Sequence, residues 1–222
     1  MDSINILISG SFNDDDGCPT SIPFELKQYH GQAAFIVVYR EANEIAREFS
    51  QKFDGDLFSQ TAINFLRDSL TPVAESYGFY PDTECGFTRD YARIPGQNFG
   101  SGIAEPYKTA RNNFTGFDLD YLTEMGLRCY VVTYDRIVVS AACEAPYPEG
   151  SDDIEIGVET AEGFRGRGFA SACVGALAGD INARGKSAVY IAQEDNAPSH
   201  AVAKRAGFTE RGRCYSSVFI SK

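Results

Sequence analysis

The order strand, arginine/glycine turn, helix, strand, asparagine-headed helix, packed into residues 154–208, constrains this chain more than any other feature. Ile154-Glu155-Ile156-Gly157-Val158-Glu159-Thr160 alternates in the manner of a strand, and Arg165-Gly166-Arg167-Gly168-Phe169-Ala170 follows it. Gly166 and Gly168 carry no β-carbon, so the backbone there can turn tightly and approach a ligand closely. Ala170, Cys173, Val174, Leu177 and Ile181 then recur on one face of a 3.6-residue period, which predicts a helix over 168–184. Gly185 stands where a left-handed C-terminal cap belongs. The first amides of such a helix have no partners within it and point forward with partial positive charge, a ready site for a phosphate. A strand over 187–193, Asn196, a helix over 197–206 and Gly207-Phe208 complete the pattern.

Charge points the same way. The chain carries a net charge of −11, yet residues 163–213 hold eight basic side chains (Arg165, Arg167, Arg184, Lys186, Lys204, Arg205, Arg211, Arg213) against four acids (Asp180, Glu194, Asp195, Glu210). A basic segment in an acidic protein suits an anionic ligand; a solvated helix face with ordinary arginines is the competing account. No G-x-x-x-x-G-K-[ST] run exists, so a Walker loop is excluded. The dinucleotide fingerprint is incomplete: Ser171 replaces its third glycine, and Ala161 to Arg165 separates the turn from the strand. Because Glu194 and Asp195 follow the next strand, a dinucleotide-binding oxidoreductase stays open as an alternative.

These motifs carry a family resemblance. Residues 119–222 resemble the GNAT acyltransferase superfamily, whose cofactor signature [R/Q]-x-x-G-x-[G/A] is matched by Arg165-x-x-Gly168-x-Ala170. Its second signature, an Asn after the next strand, a helix and then Gly-Phe, is matched by Asn196, Ser199 and Gly207-Phe208. More loosely, Phe117 to Phe208 is similar to a subgroup that includes zwittermicin-resistance acetyltransferases. The resemblance implies an α+β fold, a mixed and mostly antiparallel central sheet flanked by helices, with an N-terminal extension. It implies acetyl-CoA as cofactor and transfer of acetyl to a primary amine of a small molecule or peptide. It places Val158, Thr160, Arg165, Gly166, Arg167, Gly168, Phe169, Ala170, Asn196 and Ser199 at the cofactor. For Asn196 a helix N-cap without a ligand role is the plain alternative.

The catalytic groups are less marked. Glu155 is the first choice for general base, followed by Glu144 and Glu194. Alternation puts Glu155, Gly157 and Glu159 on one face of their strand and Ile154, Ile156 and Val158 on the other. An exposed carboxylate is the competing account for Glu155. Many GNAT enzymes carry a tyrosine general acid four residues before the Gly of Gly-Phe; this chain, which resembles them, has Ala203 there. Tyr215 or Ser199 then protonates the leaving thiolate, or it leaves unassisted. Ala203 also leaves open a non-catalytic acyl-CoA-binding sensor or interaction module. His200 is read as a helix-surface residue before a catalyst.

Composition sets the remaining bounds. Hydrophobic residues at 43% and charged residues at 23% are those of an ordinary globular protein. No apolar run approaches the roughly 18 residues of a membrane helix, and Met1-Asp2-Ser3 lacks a basic leader, so a cytoplasmic protein without membrane attachment is expected. Net acidity argues against nucleic acid. A homodimer remains open. Six cysteines (18, 85, 129, 143, 173, 214) show no C-x-x-C and no metal-like spacing with the two histidines, so neither disulfides nor zinc are expected. Asp14-Asp15-Asp16-Gly17 is read as a solvated loop, because a calcium loop would need an oxygen ligand at Phe12.

Two regions follow: a GNAT core over 116–222 and an N-terminal region over 1–115. In the core, strands over 128–134 and 136–144 meet at a tight turn at Asp135, a loop over Pro146 to Ser151 leads to a strand at 153–160, and a hairpin closes the chain over 208–220. In the N-terminal region Phe35 to Tyr39 reads as a strand. Ala42, Ile45, Ala46, Phe49 and Phe53 keep a helical period, as do Ile63, Leu66 and Leu70. Residues 78–115 read as a long insertion. Its aromatics (Phe79, Tyr80, Phe87, Tyr91, Phe99), in the more acidic half, suit an amine cation; packing onto the core is the equal alternative.

Overall fold

The computed structural model describes residues 4–14, 19–82, 86–93, 102–108, 116–145 and 152–221. Phe99, Asp15, Asp16, Gly17, Cys18, Cys85 and the Pro146 to Ser151 loop lie outside them. In chain order the elements are β1 (Asn5–Ile8), β2 (Thr20–Tyr29), β3 (Phe35–Val38), α1 (Asn43–Lys52), α2 (Gln60–Ser76), β4 (Phe79–Pro81), β5 (Gly86–Arg93), β6 (Glu105–Pro106), α3 (Leu119–Glu124), β7 (Cys129–Tyr134), β8 (Ile137–Glu144), β9 (Asp153–Thr160), α4 (Phe169–Ala183), β10 (Ser187–Gln193), α5 (Ala197–Arg205) and β11 (Phe208–Ser221). The chain divides into two compact units, 1–89 with 212–222, and 90–211. The units divide at 89/90 and 211/212 and not at 115/116, so Asp90 belongs with the second unit and Gly212 with the first.

In the first unit β1 pairs β3 in parallel, and β3–β2, β2–β11 and β11–β4 are antiparallel. The periodic residues Ala46 and Phe49 of α1, and Ile63, Leu66 and Leu70 of α2, are buried against Phe24, Leu26, Ile36 and Val38 of the strands. Ser59 starts α2 by accepting the Ala62 amide at 3.2 Å. At one edge of the core the buried Ser11 hydroxyl donates to Glu41. Burial pushes the Glu41 carboxyl up, but the Ser11 hydroxyl, backbone amides and Arg40 outweigh it and hold it below the ordinary glutamate range. A carboxyl held low in the folded state stabilises it above the unfolded pKa of about 4.3 and loses that contribution as pH falls through the folded value. Ser11→Ala is therefore expected to cost about 1 kcal/mol at neutral pH. The deficit should shrink below the Glu41 titration, as read by urea unfolding at pH 7 and pH 3.

In the second unit β6–β7, β7–β8 and β8–β9 are antiparallel and β9–β10 is parallel. The β7–β8 hairpin turns at Asp135 and Arg136, with φ of 49° and 63°. Val139 is bulged, since Val132 faces Ser140 while Thr133 faces Val138. One core cluster joins Cys173, Val174, Leu177 and Ile181 of α4 to Val139, Ile156, Ala188 and Tyr190. A second joins Leu119 of α3 to Cys129, Val131, Ala141 and Cys143, with Phe117 against it.

Several expectations change. The hairpin over 208–220 is a single strand, β11. Gly212, inside that strand, is a close-approach residue: a β-carbon there would stand 2.6 Å from the Gln28 carbonyl oxygen and the Tyr29 ring. β1, β2 and α3 were unforeseen, and residues 78–115 contain β4, β5 and β6. Phe79 and Tyr91 are buried in the cores of the first and second unit respectively, so neither offers a face to an amine. Among the described residues no helix is long and apolar enough to cross a membrane, which leaves strand-built spans unaddressed.

Candidate functional site

The site is built where two parallel strands part. β9 and β10 pair from Asp153/Ser187 to Glu155/Val189, and there the pairing ends although both strands continue. Backbone direction on β9 follows from its other neighbour. Ala145 donates to the Glu155 carbonyl and Ala161 to the Val139 carbonyl, so 145/155 and 139/161 are hydrogen-bonded positions of the β8–β9 ladder. Antiparallel ladders alternate, which makes Ala142/Val158 and Ser140/Thr160 non-hydrogen-bonded positions. The peptide groups of Val158 and Thr160 therefore point away from β8, to the side on which β10 has parted.

A cavity of about 510 Å³ occupies that side. Val158, Glu159, Thr160, Phe164, Arg165, Gly166, Gly168, Phe169, Ala170 and Ser171 line one wall; Tyr190, Asn196, Pro198, Ser199, Ala201, Val202 and Arg205 line the other. Of the residues expected at the cofactor, only Arg167 is absent from the lining. Its guanidinium lies 5.0 Å from the Phe164 ring centroid and donates to the Gly163 carbonyl. Arg165 donates to the Thr160 carbonyl at 3.2 Å, which ties the turn to the end of β9.

The turn owes its shape to Gly166 and Gly168, with φ of +75° and +83°. Gly168 is the N-cap of α4, and the amides of Phe169, Ala170 and Ser171 precede the first possible in-helix acceptor. At the other end Gly185 adopts φ +74° and Lys186 donates to the Ile181 carbonyl, a Schellman closure. α4 is thus fixed at both ends, with its positive pole at the cavity.

The second wall contains the groups able to donate a proton. Asn196 caps α5 by accepting the Ser199 amide at 3.1 Å, so its side-chain oxygen performs the plain N-cap role while also lining the cavity. The Ser199 hydroxyl is 2.7 Å from the Tyr190 hydroxyl. Tyr190 is 3% exposed, and burial pushes its phenol up despite the Ser199 hydrogen bond, so it stays protonated at neutral pH. Sequence reasoning passed over Tyr190; its only signal was an apolar strand position carrying a hydroxyl. Ala203 is fully buried in the core. His200 Nε2 lies 3.0 Å from the Glu194 carbonyl and donates to it, and Nδ1 lies 2.8 Å from the Tyr91 hydroxyl.

The other candidate groups are placed as follows. Glu155 is half-buried on β9 and does not line the cavity, whereas Glu159, on the same face, does. Glu159 accepts the Gly116 amide. Glu144 is 5% exposed and held by Arg184 and the Arg128 amide. Tyr215 belongs to the core of the first unit, 5.3 Å from the Phe87 ring, and is not a lining residue.

A model of the FR47-like protein family matches residues 151–217, the span of the turn and the Asn196 helix. A GNAT-family protein of Novosphingobium aromaticivorans shares 17% identity over 65% of this chain and 68% of its own, with a TM-score of 0.52. A GNAT-family acetyltransferase of Colwellia psychrerythraea shares 12% over 81% and 75%, with a TM-score of 0.45. A GCN5-related N-acetyltransferase of Sphaerobacter thermophilus shares 13% over 84% and 71%, with a TM-score of 0.44. No curated protein matches. The first of these likenesses carries the fold, which is that of the GNAT family, and none singles out the zwittermicin-resistance subgroup.

Proposed function

From the GNAT fold of this chain and its FR47-like segment we propose an acyl-CoA-dependent N-acyltransferase that moves acetyl from acetyl-CoA to a primary amine of a small molecule or peptide. One observation carries this reading: the parted β9 and β10 and the N-terminus of α4 open onto the same cavity, lined by Val158, Thr160, Gly166, Gly168 and Ala170 on one side and by Asn196, Ser199 and Arg205 on the other. A pyrophosphate suits the amides of Gly166 to Ala170, with Arg165 adding charge. The outward peptide groups of Val158 and Thr160 suit an extended amide-bearing arm laid along β9 as a further strand. The Val158 amide also suits a thioester oxygen that gains charge during transfer.

When bound, acetyl-CoA supplies an acyl group and a thiolate leaving group; the chain must move two protons. Ser199, backed by the Tyr190 phenol, is the donor to the thiolate. The pair replaces the tyrosine that Ala203 removes, and burial keeps its phenol protonated. Glu159, which lines the cavity, takes the amine proton directly or through water in preference to Glu155, which does not. Tyr190→Phe should lower kcat on the order of tenfold and leave CoA affinity unchanged, because Ser199 still lines the cavity. An unaltered kcat would remove Tyr190 from the proton path.

Ala203 favours a second reading, a binding module that holds acyl-CoA without turnover. Thermal unfolding with CoA, acetyl-CoA and NAD, followed by an amine panel with labelled acetyl-CoA, separates the accounts, since a saturating ligand stabilises only what it binds. Stabilisation by CoA with label transfer supports the enzyme, and stabilisation without transfer supports the module. No stabilisation by CoA removes both, and stabilisation by NAD alone favours a dinucleotide site.

A further inference from the structure

Cys129 of β7 and Cys143 of β8 stand directly opposite each other. Their position in the ladder follows from three backbone hydrogen bonds. Glu144 donates to the Arg128 carbonyl, so 128/144 is a hydrogen-bonded position and 129/143, the next one, is not. The Cys129 carbonyl accepts from Tyr107 beyond β6, on the opposite side from β8. Cys143 is registered with Gly157, a hydrogen-bonded position of the β8–β9 ladder, so its peptide groups face β9. No backbone bond separates the two residues. In such a pair the Cα atoms lie about 4.5 Å apart with side chains close, within the roughly 4.4–6.8 Å that a disulfide spans.

Both side chains point into the same core cluster, with Leu119, Val131 and Ala141, and are 3% and 2% exposed. The adjacency of the two thiols, with Cys143 as donor, pulls the Cys129 thiol down against burial and the nearby Glu144 carboxylate, and together with burial pushes Cys143 up. The pair is therefore asymmetric, one thiol more readily a thiolate and the other a proton donor beside it. Cys173 offers an internal contrast: it sits in the other core cluster, its thiol directed at the Ser140 carbonyl at 3.6 Å, and burial pushes it up to about 11.

We propose that Cys129 and Cys143 form a redox-modification site, a dithiol that a small hydroperoxide converts to a cross-strand disulfide. The Cys129 thiolate attacks the peroxide oxygen, the O–O bond breaks, and the sulfur becomes a sulfenic acid as hydroxide leaves and is protonated to water. The Cys143 thiol then attacks the Cys129 sulfur, the S–O bond breaks, and its proton leaves with the hydroxyl as a second water. Two thiols and one hydrogen peroxide thus give one disulfide and two waters. Near-complete burial selects the oxidant by size: a triatomic hydroperoxide needs a small opening, whereas an aromatic disulfide reagent needs the hairpin to unfold. The site is independent of the acyltransfer reading.

The test uses the full chain under native conditions. It is treated with hydrogen peroxide, its remaining thiols are blocked after denaturation, and its peptides are mapped without reduction by mass spectrometry. The expected result is a peptide pair joining Cys129 to Cys143, lighter by two hydrogens and separated by dithiothreitol, with Cys173 still alkylated. An aromatic disulfide should modify the pair at least tenfold more slowly than it modifies the same thiols in urea. In Cys143→Ser, the same peroxide dose should leave Cys129 as a sulfenic acid that dimedone traps. If that variant does not fold, the wild-type map decides alone. Recovery of both residues as free thiols at doses that oxidise other cysteines overturns the proposal. So does a bridge that forms only after denaturation.

Discussion

Gly168→Val is expected to abolish CoA binding while the protein stays folded. Gly168 holds φ +83° as the N-cap of α4 and lines the cavity. For an L-residue the left-handed region costs roughly 1–2 kcal/mol, and β-branching adds to it. A β-carbon at this position meets no protein atom within 4 Å, so nothing in the fold itself rejects the side chain. Valine has two outcomes. It keeps the backbone and puts its branched carbons into the ligand's space, or it relaxes to negative φ and turns the amides of Phe169 and Ala170 away. Either outcome removes the phosphate cradle that the proposed function requires, and the expected rise in Kd is on the order of a hundredfold or more, about 3 kcal/mol. The unfolding midpoint should fall by only a few degrees, since the strain is local. Calorimetric titration of CoA, paired with thermal unfolding, reads both. Wild-type affinity in a folded Gly168→Val protein would detach the turn from the ligand.

The turn was legible because its chemistry is local. Two glycines with positive φ, a 3.6-residue apolar stripe and a capping glycine are all written within twenty consecutive residues, and strands 153–160 and 187–193 emerge with the expected bounds. What failed was non-local. The hairpin expected over 208–220 is one strand, and its Gly212 is there because β2 comes within 2.6 Å of its missing side chain. β2 itself, TSIPFELKQY, buries Ile22's neighbours Ser21 and Pro23 and then Phe24, so its pattern is irregular and carries an internal proline; only its two strand partners reveal it. The Tyr190–Ser199 pair was hidden for a related reason. Ser199 was marked by its spacing from Asn196, but its partner comes from another element, and nothing near Tyr190 in sequence announces a hydroxyl aimed at a helix. The parting of β9 from β10 is likewise a property of two strands and of neither sequence alone.

Arg211→Ala is expected to destabilise the second unit strongly. The Arg211 guanidinium donates to Asp90 at 2.9 Å and to Asp153 at 2.8 Å, joining β11, β5 and β9. Burial alone lowers its pKa, but the two carboxylates outweigh burial and raise it above the usual arginine value, so it stays charged throughout the working range. Asp90 is 6% exposed. Truncating the arginine removes the cation that Asp90 and Asp153 share, and breaking one side of a buried ion pair costs about 3–5 kcal/mol at neutral pH. The pH dependence tests the cause. With the cation gone, the charged form of Asp90 loses a stabilising neighbour, so the variant's folded state binds a proton at higher pH than the wild type's does, and the difference between the two proteins is smallest where both are protonated. The deficit of Arg211→Ala relative to wild type should therefore narrow as pH falls from 7 toward 4, opposite to the behaviour of a protein that has merely lost packing. Adding Asp90→Asn, which removes the carboxylate that faced the arginine, should recover part of the loss at pH 7 and flatten the dependence. Urea unfolding of the wild type and the two variants at both pH values decides it. A deficit constant with pH would mean that Arg211 contributes its aliphatic stem and its geometry, with its charge of no net consequence.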